Sequence, residues 1–150
     1  GSSPPQYAFD VDAARDGSPG AKTTLMIRNI PNKYSQKMLL ATLDRNYPGQ
    51  YDFFYLPIDF KNRCNLGYAF VNFTSPRSTL DFYNDFHNKR WEEFNSRKVC
   101  CITYARVQGR AALVDHFRSS RFPSNESDDY LPLVVDVTAG GVVRAVPVAP

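Results

Sequence analysis

At 150 residues and a net charge of +3, the chain has room for one domain with a real core and too little for two. Hydrophobic residues at 43% and aromatic residues at 14% exclude a disordered chain, and no apolar run approaches the ~18 residues of a membrane span, so no membrane partner is expected. The charge is unevenly laid out: Lys22 to Arg121 holds 16 Lys and Arg against 8 Asp and Glu, net +8, and the remaining residues are net −5, a distribution that suits a polyanion partner.

Gly1-Ser2 reads as an expression scar, and residues 1–21, rich in Ser, Pro, Gly, Ala and Asp, read as a flexible linker. The composition changes at Lys22. Thr23 to Ile30 is predicted as a strand stopped by Pro31. Ser35 is a candidate N-cap for a helix to about Tyr47, with Leu39, Leu40 and Leu43 on its buried side, and Pro48-Gly49 ends it. Tyr51 to about Phe60 is a second, aromatic-rich strand. Pro57 inside it predicts a sheet edge or a bulge. Lys61–Asn65 is a short loop and Gly67–Phe73 a third strand. Ser75-Pro76 opens a helix to about Asn88, an N-cap hydroxyl followed by a first-turn proline, with Leu80, Tyr83 and Phe86 at helical spacing. Trp91 and Phe94 in the next connection are predicted as satellite core. Lys98–Ala105 is a fourth strand, and Gln108 to about Phe122 a further helix with the stripe Leu113, Val114, Phe117. Residues 123–150 read as an acidic and apolar tail, partly ordered at most.

The order is βαββαβ plus a helix, and the fold class is α+β. It is the ferredoxin-like sandwich in which a four-stranded antiparallel sheet is backed by two helices, with an additional C-terminal helix. The cysteines, Cys64, Cys100 and Cys101, are three in number and have no CxxC spacing. They suggest neither a disulfide framework nor a zinc site, and fit reduced thiols in a nuclear or cytoplasmic protein.

The third strand carries the chemistry. Leu66-Gly67-Tyr68-Ala69-Phe70-Val71-Asn72-Phe73 matches six of the seven specified positions of the first ribonucleoprotein motif, departing only at Leu66. A match this good arises by chance on the order of once in ten thousand such chains. Alternation sends Ala69, Val71 and Phe73 to the helices and leaves Tyr68 and Phe70 on the open face. Rings exposed there make sense as platforms for bases, each stack worth ~1–3 kcal/mol. On the first strand, beside the third in this fold, Met26 stands where a stacking ring is usual. A thioether contacts a base less well, and Arg28 on the same face can compensate by stacking or by holding a phosphate. Lys61 and Arg63 in the loop, with Arg106 and Arg110 around the last helix, are candidate phosphate contacts.

The segments TTLMIRNIPNKYSQKMLL, YDFFYLPIDFKNRCNLGYAFVNF and FNSRKVCCITYARVQGRAAL resemble the C-terminal RNA recognition motif (RRM) of the mei-two-like proteins, and HFRSSRFPSNESDDYLP is similar to their plant terminal-ear branch. The resemblance covers about Lys22 to Leu131, and Met26 and Leu66 fit the family pattern. It implies an RNA-binding regulator of developmental or meiotic decisions, in which this motif is the last of several.

Single-stranded RNA is thus the expected partner, with no cofactor, no metal and no small-molecule substrate. Catalysis is not expected. His87 and His116 have no matched carboxylate or nucleophile, and the turn at Asn29-Ile30-Pro31-Asn32 lacks a glycine-rich phosphate cradle. The alternative is a protein-interaction or dimerisation module using the sheet face or the last helix, which itself could cover Tyr68 and Phe70.

Overall fold

The computed structural model describes residues 7–18, 20–92, 96–118, 132–137 and 143–147. Strand β1 (Thr24–Arg28) forms because Leu25 and Ile27, both buried, alternate with Met26 and Arg28 on the other face. In α2 (Gln36–Asn46) the Ser35 hydroxyl accepts the Met38 N–H at 3.2 Å, the capping bond the sequence called for. Leu39 and Leu43 are buried, and Leu40 packs at the core's margin.

Strand β2 (Tyr51–Tyr55) is shorter than expected. The chain turns at Pro57 into a separate small hairpin, β3 (Ile58–Asp59) and β4 (Cys64–Asn65). Strand β5 (Tyr68–Phe73) follows, entered through Gly67 at φ +92°, a backbone angle that favours glycine. In α3 (Pro76–Phe86) Ser75 caps the Ser78 N–H at 3.3 Å, with Pro76 in the first turn as predicted. Strand β6 (Cys101–Tyr104), helix α4 (Arg110–Arg118), and a hairpin of β7 (Leu133–Val137) and β8 (Val143–Pro147) complete the chain. Phe94, residues 119–122 of the predicted last helix, and the start of the tail to residue 131 lie outside the described residues.

The sheet runs β6-β1-β5-β2-β7-β8, every neighbouring pair antiparallel. Its first four strands are the expected sheet, backed on one face by α2 and α3 around Leu25, Ile27, Val71, Phe73, Phe54 and Phe82. Two corrections concern β2. It is not an edge, because β7 pairs with its outer side, placing Val134 opposite Phe53. Its irregularity lies at Asp52, between Tyr51 and Phe53, and not at Pro57. Trp91 belongs to the main core, 5.1 Å from the Tyr34 ring, where satellite packing was expected.

The N-terminal segment departs most from its reading as linker. Asp10 caps a short helix, α1 (Val11–Asp16), whose Ala13 and Ala14 are buried. Phe9 stacks on Tyr83 of α3 at 4.3 Å, and the Tyr104 N–H donates to the Tyr7 carbonyl at 2.7 Å. The composition rule failed because two alanines and two aromatic rings suffice to hold a six-residue helix against α3. His87 is also structural: its Nδ1 accepts the Ile102 N–H at 3.0 Å, and burial holds its pKa below the ordinary histidine value.

Candidate nucleic-acid interface

Register determines which side chains share the face away from α2 and α3. Met26 lies opposite Phe70 on one side and Thr103 on the other; Arg28 lies opposite Tyr68 and Cys101. Tyr55 lies opposite Phe70, and Phe53 opposite Asn72. Because the slip at Asp52 reverses the phase of β2, Tyr51 points into the core while Phe53 and Tyr55 turn to the same face as Phe70. Three strands therefore contribute to one surface carrying the rings of Phe53, Tyr55, Tyr68 and Phe70, the thioether of Met26 and the guanidinium of Arg28.

This face is only partly open. Helix α4 lies across its β2 side, with the Phe117 ring 6.0 Å from Phe53, 4.9 Å from Tyr55 and 5.5 Å from Phe70, centre to centre. Leu113 is fully buried beneath the helix. Phe70 is half-buried and not free as expected, and Tyr68, edge-on to it at 5.7 Å, is half-buried as well. Burial, and Tyr68 beside it, push the Tyr55 phenol up to about 12, so it stays a neutral hydrogen-bonding group.

The segment leading into α4 is fastened to the start of β1. The Gln108 amide accepts the Thr24 N–H at 3.0 Å and donates to the Thr24 carbonyl at 2.9 Å and the Ala105 carbonyl at 2.7 Å. The Gly109 N–H donates to the Thr24 hydroxyl at 2.8 Å. That hydroxyl donates in turn to Asn72 Oδ1 at 2.7 Å, and Asn72 donates to Asp52 at 2.7 Å, at the bulge. One polar chain thus ties α4, β1, β5 and β2 together.

Between α4 and the β1–β6 side of the sheet is a cleft of about 210 Å³. Met26, Phe70 and Phe117 form apolar parts of it, with Leu113 and Val107; Arg28 and Arg106 bring positive charge, and Tyr7, Tyr104 and His116 complete it. Among the described residues no carboxylate lines it. Arg28 is exposed, its Nε 3.3 Å from the Thr103 hydroxyl.

The structure therefore brings together Met26, Arg28, Phe70 and Arg106, with Tyr68 adjoining Phe70. Three other candidates are not part of the cleft lining. Lys61 and Arg63 are exposed on the β3–β4 turn. That turn is built on Asp59, whose carboxylate accepts the Lys61 N–H at 2.9 Å and is held below the usual carboxylate range chiefly by that bond. Arg110 sits in the first turn of α4. Sequence reasoning missed Phe53, Tyr55, Tyr7, Thr103 and His116 as neighbours of the site. The aromatic run YDFFY was the available signal, but without the bulge its phase could not be assigned.

The family model described as RNA recognition motif 2 matches residues 22–118. The chain is 57% identical over 115 residues to Protein MEI2-like 4 of Oryza sativa subsp. japonica, covering 77% of this chain and 11% of that protein. It is 51% identical over 162 aligned positions to Protein terminal ear1 homolog of Oryza sativa subsp. indica, covering 94% of this chain and 24% of that protein. The chain thus spans a quarter or less of these relatives' length. Among solved structures, the Sxl-lethal protein/RNA complex is similar at a TM-score of 0.48 and 24% identity, over 59% of this chain and 50% of that one.

Proposed function

The chain belongs to the RNA recognition motif 2 family, and from that premise we propose that it binds single-stranded RNA on the sheet face, with Phe70 as the principal stacking ring. The observation that carries the proposal is the juxtaposition of Tyr68, Phe70 and Met26 with Arg28 on adjacent strands, next to a cleft that Arg106 also lines. Flat π surfaces next to positive charge suit unpaired bases joined by phosphates. The finer expectation, a place in a regulator of developmental or meiotic decisions acting in the nucleus or cytoplasm, rests on the family resemblance and belongs to the same proposal.

The test is a salt titration. Single-stranded RNA gives a slope of about 0.7 in log affinity against log salt per phosphate neutralised. With Arg28, Arg106, Lys61 and Arg63 each holding one phosphate, affinity is expected to fall roughly 50-fold between 50 and 200 mM salt. Arg28→Gln should lower the slope by about 0.7. A flat titration of the wild-type chain would remove the phosphate contacts from the proposal.

A further inference from the structure

Resting on the single-stranded RNA reading above, we propose that the cleft beneath α4 is a slot for one unpaired base, walled by Tyr7 and Phe117, and that α4 stays docked while the base is bound. The RNA contact then reaches into a segment N-terminal to the family-matched residues 22–118.

Size restricts the occupant. About 210 Å³ falls below the ~300–1,000 Å³ of sites that take drug-sized ligands. It suits one planar base with its exocyclic groups, not a stack of two.

The first wall is fixed in place. The Tyr7 carbonyl accepts the Tyr104 N–H at 2.7 Å, and Ala8 bridges Thr103 on the outer side of β6. Phe9 is stacked on Tyr83, and Asp10 begins the docked helix α1. Tyr7 is therefore held at the cleft by its own backbone bond to β6 and by the docked residues that follow it, with no need of RNA to order it.

The second wall defines how much of the sheet is usable. Phe117 lies over Phe53, Tyr55 and Phe70 and so occupies the β2 side of the platform, where a further base would otherwise stack. What is left is the β1–β6 side, where Met26 and Thr103 are cross-strand neighbours and Arg28 is exposed. Moving α4 away would bring the fully buried Leu113 into water and lift the Phe117 ring off Phe53, Tyr55 and Phe70. Keeping the helix in place preserves these contacts and gives the base a second aromatic surface. The geometry favours a wall over a lid.

The two arrangements predict opposite signs for one variant. Binding is read as fluorescence anisotropy of a labelled RNA decamer of randomised sequence at 50 mM salt, with thermal unfolding of each variant as the check on folding. With α4 as a wall, Phe117→Ala removes a stacking surface and weakens binding about fivefold or more. With α4 as a lid, the same change raises the open fraction and tightens binding. Phe117→Leu keeps the apolar packing and loses only the ring face, so it should weaken binding too if the ring contacts the base. Tyr7→Leu should likewise weaken binding about fivefold or more, since it leaves the backbone bridge to β6 intact. Unchanged or tighter binding in the Phe117 variants, or unchanged binding in Tyr7→Leu, overturns the slot. If the wild-type chain itself does not bind the decamer, the RNA reading fails first, and the slot with it.

Discussion

Replacing Phe70 with alanine is expected to raise the dissociation constant for single-stranded RNA roughly 5- to 150-fold, the equivalent of ~1–3 kcal/mol. The ring is the central one of the face: Met26 and Tyr55 are its cross-strand partners, Tyr68 meets it edge-on, and it lines the cleft. The same ring supports Phe117, 5.5 Å away, so alanine also takes a contact from α4. Phe70→Leu separates the two effects, because leucine keeps apolar support beneath the helix and offers no π face. Both variants should lose RNA affinity to a similar degree, while the leucine variant keeps most of its thermal stability. Wild-type affinity in the leucine variant would show that the ring holds the helix and not a base.

The largest effect on stability is expected from Asn65→Ala, about 2–4 kcal/mol and a melting temperature lower by on the order of 10 °C. This side chain is 6% exposed. Its amide donates to the Pro31 carbonyl at 2.8 Å and the Tyr34 carbonyl at 2.9 Å, and its oxygen accepts the Gly67 N–H at 2.7 Å. One residue thus pins the turn after β1 to the entry of β5. Alanine leaves buried polar groups without partners, each costing ~1–3 kcal/mol. Because Gly67 immediately precedes Tyr68, RNA affinity should fall along with stability. Urea unfolding is the measurement; a change below about 0.5 kcal/mol would mean that water takes over these bonds.

The parts of the fold that were legible in the sequence are those governed by local rules. The caps at Ser35 and Ser75, the proline at 76 and the alternation through Leu25–Arg28 and Tyr68–Phe73 each depend on a few adjacent residues, and each is present. The cross-strand grouping of Met26, Arg28, Tyr68 and Phe70 followed from strand order alone. What escaped depends on contacts distant in sequence. No pattern within YDFFY reveals that Asp52 bulges, since the bulge is stabilised by Asn72 on another strand. The docking of residues 7–18 depends on Tyr83 and Tyr104, and the position of α4 on Gln108 meeting the start of β1. A stripe of Leu113, Val114 and Phe117 shows that the helix must bury one face. It does not show which surface receives it.

The hairpin of β7 and β8 has a consequence for handling the protein. Strand β2 is short, aromatic and low in charge, and on its own it would present an open row of backbone donors and acceptors to other molecules, the usual template for sheet-to-sheet aggregation. Strand β7 occupies those groups, and the boundary it hands on to β8 ends at Pro147, whose nitrogen has no hydrogen to offer. A chain shortened ahead of Leu133 should keep its RNA face yet lose monodispersity in solution.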